Sequence, residues 1–210
     1  MKKNNRKTLT ERQKRAMKTR KALLDSALRL FNEKGFDEVH IEEIAKEAGT
    51  SKGSFYTYFK SKDAVFLEKY KEIDEFYLNV FNKLPKEMSS PEKIRVLLSE
   101  GINLFLELGH EFVTIVAKSQ LDTNMPPYVF SSDRTINQLI FKIVEEGQAR
   151  EQIRNDLTET EIADMIICFY RGIYIEWCYF NGNFDIFNKG NQYIDLFING
   201  VLKKKKNSLT

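Results

Sequence analysis

"HIEEIAKEAGTSKGSFYTYF", His40 to Phe59, decides how this chain is read. Ile41, Ile44, Ala45 and Ala48 mark one face of a two-turn helix, with His40 or a neighbour as its cap. Gly49 ends that helix, because the turn needs a residue free to take positive φ. Ser51 then opens a second short helix that runs to Phe59. Two short helices joined by a tight glycine turn make a helix-turn-helix. The helices cross closely, so Ala45 supplies the small residue at the crossing and Phe55 the apolar anchor of the second helix. Four rings fall within five residues here, Phe55, Tyr56, Tyr58 and Phe59. A short helix cannot hide rings on every side. Phe55 and Phe59 are expected inside; Tyr56 and Tyr58 are left for a partner.

Upstream, "KALLDSALRLFNEKG" carries Leu23, Ala27, Leu30 and Phe31 at helical spacing and stops at Gly35. Charge is concentrated at the same end. Residues 1–62 hold 16 Lys and Arg against 8 Asp and Glu, whereas residues 63–210 hold 17 against 22. A basic front on a mildly acidic body points to a polyanion-binding module joined to a different kind of domain. A solvated N-terminal tail is the plainer reading of the charge alone.

Downstream, apolar periodicity predicts helices over 62–82, 91–108, 110–121, 132–151, 159–181 and 187–204. Ser61 caps the first. Ser90-Pro91 is expected to supply an N-cap followed by proline at the first helical position. "DTNMPPYVFSSD", residues 122–133, is a loop. Thr158 with Glu161 forms a capping box. With 10 Gly and 4 Pro in 210 residues, punctuation is sparse, which favours long helices over strands. The expected fold is all-α.

The apolar run from Ile162 to Phe180 raises the question of a membrane span. Asp164, Arg171 and Glu176 lie within it, so a covered helix is the better account. The N-terminus is charged with no apolar segment behind it, so no secretory signal is expected. Cys168 and Cys178 stand roughly 15 Å apart along one helix, too far for a disulfide. They read as reduced core residues of a cytoplasmic protein. No metal-ligand spacing, phosphate loop or nucleophile–base pair is visible, so no catalytic residue, metal or cofactor is expected. His110 reads as an ordinary helix-terminal residue.

The stretch from Thr19 to Phe66 resembles the DNA-binding domain of the TetR family of bacterial transcriptional regulators. The resemblance is carried by Thr19-Arg20, Leu30-Phe31, Gly35-Phe36, Ile44-Ala45, Ala48-Gly49, Ser51-Lys52-Gly53, Tyr56, Phe59 and Ser61-Lys62. It implies a disordered basic tail over 1–10, a three-helix DNA-binding domain over 11–61, and a larger helical effector-binding and dimerisation domain over 62–210. Thr50, Ser51, Lys52, Ser54, Thr57 and Tyr58 then lie in or beside the major groove, where hydroxyls and Lys52 can meet base edges. Tyr56 and Lys62 grip the phosphate backbone. His40 lies near phosphate or merely caps its helix. Lys2, Lys3, Arg6 and Lys7 of the tail add phosphate or minor-groove contacts. His40, Thr50 and Tyr58 depart from the residues usual in the family, so no operator sequence transfers.

The family's architecture further implies a homodimer on a palindromic operator, joined through helices 159–181 and 187–204. The first of these is apolar nearly all round and must be covered. Repression is the family's common mode. An apolar or aromatic small-molecule effector is expected among the middle helices, with Phe105, Phe112, Phe141, Tyr170 and Tyr174 as candidate walls. Two rivals remain: a nonspecific DNA-packaging protein, and a helical enzyme with an unrecognised site.

Overall fold

Several helices of this chain begin where a polar side chain receives a backbone N–H group, as at Thr10, Ser51, Thr158 and Asp185. The computed structural model describes residues 10–119, 131 and 133–202. The basic tail, most of the expected loop 122–133 and the last residues of the final helix lie outside them. The described chain is helical, and it divides into two compact units, residues 1–69 and 70–210.

In the first unit, helix α1 (Glu11–Lys34) starts on a capping box between Thr10 and Gln13 and stops at Gly35, φ 87°. Helix α2 (Ile41–Glu47) and helix α3 (Lys52–Tyr58) are joined through Gly49, whose φ of 66° is the conformation that the turn demands. All three helices pack on one another. Leu23, Ala27 and Phe31 of α1, Ile44 and Ala45 of α2, and Phe55 and Phe59 at α3 form the core. Each α2 carboxylate is tied to a neighbouring helix: Glu42 to Lys52 (2.5 Å), Glu43 to Lys34 (2.6 Å) and Glu47 to Arg29.

Helix α4 (Lys62–Lys83) starts in the first unit and ends in the second. The second unit continues with α5 (Ser90–Leu108), α6 (His110–Ser119), α7 (Thr135–Ala149), α8 (Glu159–Tyr179) and α9 (Ile186–Phe197), followed by a π-helical turn, Ile198–Leu202. Ile94, Leu97, Leu98 and Ile102 of α5 are buried in a core shared with Ile140, Ile143 and Val144 of α7 and Ile194 of α9. Helix α8 packs on α6, α7 and α9 through Ile162, Ile166, Ile173 and Trp177. Lys93, 6% exposed, is tied to both oxygens of Glu146 at 2.9 and 3.0 Å, which pins α5 to α7.

Two expectations need correction. The cap of α5 is Ser89, not Ser90, and Pro91 stands one place deeper than expected. Glu92 lies three residues beyond Ser89 and accepts from its N–H (3.2 Å) and hydroxyl (2.6 Å), the reciprocal spacing that Ser90 lacks. Cys168 is exposed rather than in the core, while Cys178 is buried. The helix phase explains it: Cys168 shares the outward stripe of α8 with Met165, Gly172, Ile175 and Tyr179. No described helix is long and apolar enough to cross a membrane.

Candidate functional site

Helix α3 has only seven residues, so each turns a definite way. At about 100° per residue, burying Phe55 and Phe59 directs Gly53, Ser54 and Thr57 outward. Lys52 and Tyr56 then flank one side and Tyr58 the other. Tyr56 is 49% exposed and its ring meets Phe55 edge-on at 5.7 Å. Tyr58, Ser54 and Thr50 are half-buried, while Ser51, Lys52, Thr57 and His40 are exposed. Ser51 is the N-cap, its hydroxyl oxygen accepting from Ser54 N–H at 3.2 Å. The Thr57 hydroxyl donates to the Gly53 carbonyl at 3.1 Å, so its lone pairs rather than its proton face outward. Lys52 is held by Glu42, which raises its pKa and keeps it charged. At the α2 N-terminus, His40 donates its backbone N–H to Glu43 at 3.0 Å.

Lys62 has partners other than those expected. Its ammonium donates to the carbonyls of Phe36 (2.7 Å), Val39 (2.9 Å) and Asp37 (3.3 Å), and lies 4.6 Å from the centre of the Phe36 ring. A lysine has three protons, and all three are engaged in closing the α1–α2 connection. In this geometry Lys62 braces the unit rather than reaching out from it.

Gly53 stands at the middle of the outward face of α3. A Cβ there would meet only the Ser51 hydroxyl, at 3.9 Å, and its φ is not in the left-handed region. The fold therefore does not require glycine at the middle of the outward face. Its smallness matters to whatever approaches that face.

The second unit contains a cavity of about 80 Å³ between α4, α5, α6, α7 and α8. Four of the five expected wall residues line it: Phe105, Phe112, Tyr170 and Tyr174. Phe141 does not. It is 40% exposed and faces a groove between α7 and α8, because it falls about 100° out of phase with the buried Ile140. Phe105 stacks on Tyr170 (5.6 Å, 27°) and meets Tyr174 edge-on (5.1 Å). The Tyr77 and Tyr170 hydroxyls lie 3.2 Å apart. Burial pushes Tyr77 and Tyr174 up to about 12, and Tyr170 well above its ordinary value, so these phenols keep their protons. Both paired hydroxyls press against α5 where Gly101 has no side chain; a Cβ there would collide with each.

Arg134 also lines the cavity and is 8% exposed. Its Nε donates to Asp74 at 2.9 and 3.1 Å, and the guanidinium sits 4.7 Å from the Tyr70 ring centre. Sequence reasoning missed Tyr70, Tyr77 and Arg134. The tyrosines were visible only as core spacing in α4, and Arg134 stands outside any periodic pattern. No group of three or more His, Cys, Asp or Glu able to hold a metal occurs among the described residues.

Residues 23–68 match the family described as bacterial regulatory proteins, tetR family. The chain is 21% identical over 186 residues to the fatty acid metabolism regulator protein of Bacillus subtilis (strain 168), covering 87% of this chain and 95% of that one. It is 29% identical over 200 residues to the HTH-type transcriptional regulator AcrR of Shigella flexneri, covering 87% and 89%. Its fold is similar to that of the Bacillus subtilis transcriptional regulator FadR in complex with stearoyl-CoA (TM-score 0.73, 20% identity, covering 86% of this chain and 98% of that one). It is also similar to Thermus thermophilus FadR in complex with lauroyl-CoA (TM-score 0.68, 19% identity, covering 91% and 99%). The match over residues 23–68 makes the helix-turn-helix unit a TetR-family DNA-binding domain, and the chain as a whole is similar to transcriptional regulators that carry one.

Proposed function

We propose that the chain is a ligand-responsive repressor that binds a palindromic operator as a homodimer. The observation that carries the reading is the outward face of α3. It presents hydroxyls, Lys52 and Tyr56 around a glycine the fold does not need. Ser51, Ser54, Thr57 and Tyr58 meet base edges, with Thr50 beside them. Tyr56 and His40 contact phosphates, and Gly53 lets the α3 backbone come close to the duplex. In this reading Lys52 exchanges Glu42 for DNA, and Lys62 contributes by holding the α1–α2 connection in shape.

One helix-turn-helix reads a few base pairs; two related by a twofold axis read a palindrome with half-sites about 34–36 Å apart. Support for the dimer comes from an apolar stripe on α8, Met165, Ile175 and Tyr179 (79% exposed), with Cys168 and Gly172 between them, and from Leu196 on α9, 72% exposed. Small residues in the middle of the stripe let two copies of α8 cross closely. Large apolar side chains left in water mark an interaction surface.

The cavity is the effector site in this reading. The stearoyl-CoA and lauroyl-CoA complexes of the two FadR proteins lend support to an apolar effector. Helix α4 supplies Tyr70, Ile73 and Tyr77 to the cavity wall and begins at the helix-turn-helix unit, so it is the natural lever. An effector acts only through its differential affinity for the two states, and a coupling of about 1–3 kcal/mol is ordinary.

Selection of bound duplexes from a random pool tests the reading, together with the mass of the complex. A palindrome bound by two subunits is expected. Equal affinity for random and selected duplexes at matched salt would favour DNA packaging instead.

A further inference from the structure

The cavity is apolar over most of its wall, through Ile73, Phe105, Leu108, Val113, Ile136 and Ile167, and cationic at one place. No Asp or Glu is among the described residues lining it, whereas Arg134 and Arg171 are. Arg134 is nine-tenths buried, and Asp74 engages its Nε. Among the described residues no acceptor meets its two Nη groups. An arginine fork matches a carboxylate through two parallel N–H bonds. A second donor stands in the same wall. The Tyr77–Tyr170 pair shares one hydrogen bond, which uses one phenolic proton and leaves the other without an acceptor among the described residues. Burial keeps both phenols protonated, as a donor to an anion must be.

We infer that the cavity takes a small apolar carboxylic acid, bound as the carboxylate with the Arg134 Nη groups forked across its two oxygens. This rests on the reading of the cavity as the effector site and names the chemistry it selects. Aliphatic and aromatic bodies both suit the remaining wall. At about 80 Å³ the cavity is smaller than the roughly 150 Å³ that accommodates benzene in a rigid apolar core. The acid therefore parts the rings of α4 and α8 as it binds, and a displaced α4 is the change that effector binding needs. The carboxylate offers two acceptor oxygens to the Nη groups that Asp74 leaves unmet, whereas a primary amide of the same shape offers one oxygen and turns an N–H toward the fork.

Isothermal titration of the full chain with octanoate, 3-phenylpropanoate, their primary amides and octanoyl-CoA at pH 7 tests the inference. At least one acid is expected to bind about ten- to a hundredfold more tightly than its amide. In the Asp74→Asn, Arg134→Gln double variant both charges of the pair go together, so neither is left orphaned. There the acid and amide are expected to bind alike. Arg134→Lys keeps the charge without the fork and falls between. Equal binding of acid and amide by the unaltered chain overturns the inference, as does a preference that survives the double variant. Binding of the CoA thioester alone, or of none of the probes, also overturns it. If the double variant does not fold, the acid–amide comparison on the unaltered chain decides. Titration of the same preparation with its selected duplex keeps the two readings apart. Duplex binding without acid binding leaves the regulator standing and removes only this assignment of its effector.

Discussion

The two units handle charge in opposite ways. Among the described residues, the first unit buries no charged side chain, while the second buries Lys93 and Arg134. In the helix-turn-helix unit Arg29, Lys34 and Lys52 sit at the surface, paired with the carboxylates of α2. Such pairs are readily exchanged for the phosphates of a duplex. In the body, a guanidinium is held inside an apolar cavity by a single carboxylate. A surface charge recruits a polyanion from a distance. A buried charge selects one small anion by leaving every neutral competitor poorly matched. The first unit is thus suited to a large partner met at its surface, and the second to a small one taken inside.

The contrast can be broken by substitution. The largest effect is expected from Phe55→Ala, which empties the centre of the first unit's core. It should cost that unit about 3–5 kcal/mol and abolish duplex binding, read by urea unfolding and by titration. Retention of full stability would mean that α3 is not anchored as described.

Ile175→Asp comes next. It places a charge in the exposed stripe of α8 without touching the monomer's core. The chain is expected to sediment as a folded monomer, with duplex affinity reduced by about tenfold or more. A dimer of unchanged stability would move the interface elsewhere.

Lys62→Ala removes the brace on three carbonyls and is expected to lower the first unit's stability by about 1–2 kcal/mol. Duplex affinity would fall with it. A loss of affinity at unchanged melting temperature would instead give Lys62 a direct place on the phosphate backbone.

The smallest effect is that of pH. Glu92 is held below its ordinary pKa by the Ser89 hydroxyl and N–H, Glu161 by the Thr158 N–H and hydroxyl, and Asp185 by the Asn188 N–H and side-chain amide. A depressed folded pKa contributes stability above the unfolded value, and that stability is lost as pH falls through the folded one. The melting temperature should be flat above about pH 5 and decline below the ordinary carboxylate range, near 4.5. A rise on acidification would contradict the capping geometry.

The first unit was legible in the sequence because its determinants are local. Gly49 marks a turn by its conformation, Ser51 a cap by its hydroxyl, and Phe55 and Phe59 a buried face by spacing. The long helices of the body were legible for the same reason, to within a few residues at their ends. Ser90 misled because a serine before proline looks like a cap, whereas the deciding signal was the Ser89–Glu92 spacing. The cavity was only partly legible. Ring content pointed to Phe105, Phe112, Tyr170 and Tyr174, but helix phase excluded Phe141. Arg134 could not be found this way. It meets Asp74, sixty residues away in sequence, and no period of a single helix encodes that encounter.

The central claim is that α3 presents its outward face to duplex DNA, and Gly53→Ala tests it most directly. Alanine is about 1 kcal/mol better than glycine inside a helix, and the space beside Gly53 is open. A melting temperature equal to or above that of the unaltered chain is expected, with affinity for the selected duplex lowered by about tenfold or more, the scale of one or two lost backbone contacts. Undiminished affinity in that stably folded variant would contradict the account.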